Sequence, residues 1–172
     1  PAGGQAFRFV RAGASDAELK WKVGGETLRL IFDFTSEATV LNARAADALA
    51  AAGMVSRTGR VGLWSPVPAL SLPVEALRPA PGAGMQGLPL FSPAVRITRA
   101  QAEALDARAA RAIQGDSPDD EDAIVVTGSR EKERRRDPWM LIGRDVLRYC
   151  SRVELDRAGR SWELTCNFPA NS

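Results

Sequence analysis

Hydrophobic and polar positions alternate over Phe7–Val10 and again over Ala17–Val23, the period-2 pattern of a half-buried strand. Gly24-Gly25 then predicts a tight turn into a second arm, Thr27–Phe34. That arm becomes almost wholly apolar as it approaches Asp33, so it reads as a strand buried on both faces that ends in a carboxylate. An ionised group there costs several kcal/mol unless it is paired or functional. After Thr39-Val40-Leu41 the period changes. Asn42 is a good N-cap, Ala43 to Ala52 are strong helix formers, and Gly53 stops the helix.

From Val55 to Pro93 proline and glycine recur too often for a helix, and short strands with turns are expected. A second helix is expected at about 98–114, where Thr98 and Gln101 make a capping box and Gly115 marks the end. Its apolar stripe, Ala102, Leu105, Ala109 and Ile113, is thin and suited to close packing. Asp116–Asp122 is an acidic linker, Ala123–Thr127 a compact β-forming segment, and Glu131–Arg136 a charged run. The chain closes with Trp139–Ile142, a short helix near 143–149 and a hairpin. No heptads or long-period repeats occur.

The closing hairpin carries the two cysteines. With a three-residue loop at 157–159 centred on Ala158, facing residues have numbers that sum to 316, and Cys150 and Cys166 meet that condition. They are expected to form a disulfide, hence an oxidising compartment. The chain opens at Pro1, as a processed product does, and a periplasmic or otherwise exported location is expected.

Composition changes this picture in one respect. Among 172 residues there is no histidine, which excludes Ser-His-Asp and Cys-His nucleophile systems and histidine zinc sites. Chemistry must run on carboxylates, hydroxyls, arginines or backbone. The 23 basic and 21 acidic residues are too balanced to argue for nucleic acid or membrane, and no apolar run approaches the ~20 residues of a membrane span. Nothing calls for a cofactor or metal, since the acidic cluster at 119–122 lacks a ligand-spaced loop.

Read together, Ile31-Phe-Asp-Phe-Thr-Ser-Glu-Ala-Thr-Val-Leu41 and Leu141-Ile-Gly-Arg-Asp-Val-Leu147 resemble the retropepsin-like aspartic proteases. In that family a hydrophobic strand delivers an Asp-Thr-Gly loop followed by Thr-Val-Leu, and an Ile-Gly-Arg-Asp/Asn helix closes the domain. The likeness covers roughly residues 17–60 and 138–166. It implies a mainly β, closed-barrel, single-lobe domain over 1–172, with an insertion at about 92–137 that holds the extra helix. It implies a homodimer, in which one aspartate from each protomer meets its counterpart, shares one proton and activates water. Asp33 falls on the catalytic aspartate. Glu37 falls on an acid that pairs with the arginine of the closing helix, here Arg144, beside Asp145.

Two departures bear on activity. Phe34 replaces the family's threonine, whose hydroxyl bonds across the dimer, and Thr35 replaces the glycine that lets the loop turn tightly, so Thr35 is at best a loop support. The flap region, Arg60–Ala69, is stiffened by Pro66 and Pro68; Trp64 is either its apolar, substrate-binding tip, with Phe34 as a second binding surface, or a core residue. The expected function is therefore an aspartic-protease-like protein that binds extended peptide in a dimer cleft, with hydrolysis impaired or lost. The competing reading is a non-enzymatic envelope binding or regulatory module, with Ala123–Thr127 resembling a TonB box that docks by strand addition to a TonB-like partner.

Overall fold

A computed structural model describes residues 4–10, 19–115 and 136–170. In chain order the described elements are β1 (Gln5–Val10), β2 (Leu19–Val23), β3 (Glu26–Phe32), β4 (Thr39–Leu41), α1 (Ala43–Ala51), β5 (Val55–Val67), β6 (Leu70–Pro79), β7 (Gly84–Met85), β8 (Leu88–Pro89), β9 (Pro93–Arg96), α2 (Arg99–Ile113), β10 (Trp139–Ile142), α3 (Arg144–Leu147), β11 (Cys150–Asp156) and β12 (Ser161–Cys166). The protein is mainly β. The acidic linker, the segment Ala123–Thr127 and all but the end of the charged run lie outside the described residues.

The alternation of β2 and β3 divides the sheet into two faces. Leu19, Leu28 and Leu30 are fully buried on one, while Lys20, Lys22 and Arg29 are exposed on the other. Gly24, at φ +56, lies so close to α1 that a Cβ would fall 2.1 Å from the Ala48 carbonyl oxygen, so both its backbone angle and its surroundings require glycine. The main core forms where Leu28, Leu30, Leu41, Met140 and Ile142 meet Ala45 and Leu49 of α1. Each such leucine or isoleucine contributes on the order of 1.5–3 kcal/mol by leaving water.

Seven strands form one sheet in the order β2-β3-β10-β4-β9-β6-β5. The late strand β10 inserts between two early ones, parallel to β3 and antiparallel to β4. Asn42 fixes this insertion while capping α1, because its Oδ1 accepts from the backbone of Ala45 and of Trp139, and its Nδ2 donates to the Asp137 carbonyl. A second sheet, β1-β12-β11, packs on the same core through Phe7, Phe9 and Leu164; Phe9 and Trp162 both meet the Phe32 ring edge-on.

The expected closed barrel is not formed. Among the described residues the seven-stranded sheet ends in the free edges of β2 and β5, and the terminal strands make a sheet of their own. Short strands were expected from 55 to 93, yet β5 and β6 make a long hairpin. Pro66 is tolerated because β5 is an edge strand, and bulges between Arg57 and Val61 and between Trp64 and Val67 absorb the irregularities. The capping box of Thr98 and Gln101 is present at both of its bonds. The stripe behind it is not buried as expected: Ala102 is buried and Leu105 packs on the core, but Ile113 is 87% exposed. Only the first turns of α2 rest on the body.

Cys150 and Cys166 are joined in a disulfide as cross-strand partners. The hairpin beyond them is one residue out of the expected register. From Arg152↔Thr165 to Asp156↔Ser161 the paired numbers sum to 317, the loop has four residues, and the residue with positive φ is Arg160 rather than Gly159. A bulge between Cys150 and Arg152 restores the cysteine pair.

Candidate functional site

Strand β3 delivers Asp33 into a tight loop. The Asp33 N–H donates to the Ile142 carbonyl at 2.9 Å, which places Asp33 beside the end of β10. Its Oδ1 accepts from the Thr35 hydroxyl at 2.6 Å, the Thr35 N–H at 2.8 Å and the Ser36 N–H at 3.3 Å. Partial burial pushes this carboxyl up, but the three donors outweigh it and hold the group below the ordinary carboxylate value. The strand end is not buried on both faces as expected, since Ile31, Phe32 and Asp33 are each half-buried. The carboxylate is therefore both partly hydrated and hydrogen-bonded. Thr35 makes two of the three bonds and keeps a negative φ, so its β-branched side chain causes no backbone strain. Phe34 is 47% exposed beside it.

The two distant motifs of the sequence meet here. The Arg144 N–H donates to the Ser36 carbonyl at 2.8 Å, and the Asp145 N–H donates to the Glu37 carbonyl at 3.2 Å. The buried Thr39 hydroxyl accepts from the Gly143 N–H at 3.2 Å and donates to Asp145 Oδ1 at 2.8 Å. Burial pushes the Asp145 carboxyl above its ordinary value, against the hydrogen bond from Thr39. On the surface, Arg144 pairs with Glu37 at 3.2 Å. With Glu37 89% exposed, that ion pair is worth no more than about 1 kcal/mol. The backbone and Thr39 bonds hold the junction.

Trp64 is a core residue and not the tip of a flap. The tip is the turn between Val67 and Leu70, where Ala69 has φ +66 and Leu63, Val67 and Leu70 are exposed nearby. Trp64 is buried with Val40, Val74 and Ala94, and its Nε1 donates to Ser36 Oγ at 3.1 Å. Ser36 is itself buried and donates to the Ala38 carbonyl at 2.7 Å. The long hairpin is thus tied to the Asp33 loop through one side-chain bond. Sequence reasoning missed Ser36, because a serine directly after Thr35 carries no signal without the position of β5. It also missed the row Ile31–Leu141–Val40, paired across β3, β10 and β4 on the face that Asp33 shares. The alternation of Ile31 with Asp33 was the available clue.

No family profile matches this chain, and neither a curated protein nor a solved structure matches it. Fold and site define a mainly β protein whose disulfide accords with an oxidising environment. Among the described residues no helix is long and apolar enough to cross a membrane.

Proposed function

We propose that this chain is an exported, periplasmic protein of retropepsin-like descent that pairs with a second copy and binds extended peptide in the cleft between them, with hydrolysis impaired or lost. The observation that carries the reading is the junction of the Asp33 loop with Gly143-Arg144-Asp145. Two motifs about a hundred residues apart serve one structure, with strand β10 threaded between β3 and β4, so each motif has a reason to exist only if the other does. Beside Asp33, the half-buried apolar row of Ile31 and Leu141 supplies a surface for side chains of an extended ligand.

The loss of hydrolysis rests on the carboxylate. A shared-proton pair needs one aspartate whose pKa is raised. Asp33 Oδ1 instead takes three donors, two of them from Thr35, and these favour the ionised form. Phe34 brings no hydroxyl to bond across a dimer. The test is cleavage of a peptide library at acid pH by the wild type and by Asp33→Asn. Indistinguishable, background-level cleavage by the two is expected, with peptide binding retained in both. Turnover by the wild type that vanishes in the variant would show a competent protease and overturn the loss of chemistry.

A further inference from the structure

Resting on the peptide-binding reading, we propose that the outer face of β2, β3 and β10 selects extended peptides in which acidic side chains stand next to an apolar one. Strand register builds the surface. Lys20 lies opposite Arg29, and Arg29 lies opposite Trp139, so two cations and an indole form one row across three strands. Lys22 stands beside this row opposite Thr27. The parallel row of Ile31 and Leu141 lies between it and Asp33. Arg29 and Asp33 share a strand face four residues apart, about 13 Å, which is the reach of about four residues of an extended ligand.

Among the described residues the cations of this surface have no carboxylate bound to them: Lys20, Lys22 and Arg29 are exposed, and none forms an ion pair. The carboxylate of Glu26, on β3 itself, is taken by Arg44 at 3.0 Å. An extended peptide running along this face, with an apolar side chain on the row, would present the side chains two residues away to these three cations. Acidic residues there gain charge complementarity, and basic residues are repelled. Lysines on an edge strand also deter unwanted strand pairing. That role requires no aromatic neighbour and produces no preference among bound peptides. A stacking platform for single-stranded nucleic acid needs several exposed aromatic faces. Trp139 is partly exposed, but its neighbour Trp64 is buried 6.5 Å away, so this pair offers one ring and not a stacked series.

The experiment uses the intact protein and fluorescein-labelled dodecapeptides with the repeat Leu-Gly-Glu-Gly, Leu-Gly-Gln-Gly or Leu-Gly-Lys-Gly, which put both side chains on one face of an extended chain, with oligo(dT) as a second polyanion, all read by anisotropy. The Leu/Glu peptide should bind about tenfold more tightly than Leu/Gln, about 1.4 kcal/mol, and the Leu/Lys peptide more weakly than both. The preference should shrink as salt rises. In the double variant Lys20→Gln, Arg29→Gln the Leu/Glu advantage over Leu/Gln should disappear, while a circular dichroism spectrum and melting temperature at wild-type values show that the variant is folded. Equal binding of the Leu/Glu and Leu/Gln peptides by the wild type overturns charge selection and leaves peptide binding standing. Binding of no peptide overturns both. Tighter binding of oligo(dT) than of the Leu/Glu peptide assigns the face to nucleic acid and overturns the proposal.

Discussion

Replacing Gly143 with alanine should destabilise the protein by about 3–5 kcal/mol, at the upper end of what single substitutions do. Its φ of −100° suits any residue, so the cost is steric. A Cβ would lie 2.3 Å from the Ala38 carbonyl oxygen, 2.6 Å from the Ala38 carbonyl carbon and 2.8 Å from the Ser36 carbonyl oxygen. These are backbone atoms, and the Ser36 carbonyl is already bonded to the Arg144 N–H. The methyl group cannot enter without opening the junction between the Asp33 loop and α3. Urea unfolding of Gly143→Ala beside Gly62→Ala provides the check, because a Cβ at Gly62 would meet only the Val74 side chain at 3.7 Å, an ordinary contact. Unfolding midpoints that move equally little in both variants would mean that the junction is looser than these distances require.

Reducing the disulfide should cost about 3 kcal/mol, the loop-closure value for a crosslink spanning about 15 residues. Cys150 and Cys166 are separated by 16 residues, and Cys166 is buried in the main core. Thermal melts with and without reductant should therefore differ by roughly 10 °C for a chain of this size. The double variant Cys150→Ser, Cys166→Ser should reproduce the reduced protein. A melt that reductant leaves unmoved would show that β11 and β12 are held by strand pairing and packing alone, and would remove the physical reason to place the protein in an oxidising compartment.

Local chemistry was legible in the sequence wherever one residue decides it. Asn42 and Thr98 cap helices because their side chains reach backbone N–H groups a few positions on, whatever the rest of the fold does. The cysteine pairing was legible too, but the hairpin register was not. Arithmetic from a three-residue loop put Cys150 opposite Cys166, whereas the loop has four residues and a bulge after Cys150 compensates. A bulge shifts the alternation by one residue, and next to the strand end at Cys150 too few residues precede it for the shift to be read. Long-range placement was hidden too. Trp64 reads equally well as a tip or as core until the length of the β5–β6 hairpin is known, and the far half of α2 looks packable although Ile113 is exposed among the described residues. A closed barrel was expected from resemblance, but whether the edges of β2 and β5 meet depends on accumulated twist and coiling, to which no single residue testifies.

The candidate site divides in the same way. Asp33 and the pairing of Glu37 with Arg144 were readable as motif positions. The state of Asp33 was not, because it depends on Thr35 turning its hydroxyl back onto Oδ1. That bond links the departure from the family motif directly to the proposed loss of hydrolysis.

In the proposed dimer two copies meet with their Asp33 loops face to face. Among the described residues no free cysteine is present, so Asp33→Cys introduces a single thiol. Mild oxidation of this variant should give a covalent dimer rapidly and nearly completely, while the same treatment of Ala69→Cys, at the exposed hairpin tip, should give little. A variant that remains monomeric after oxidation, or that crosslinks no faster than Ala69→Cys, would contradict the dimer cleft and the peptide-binding account built on it.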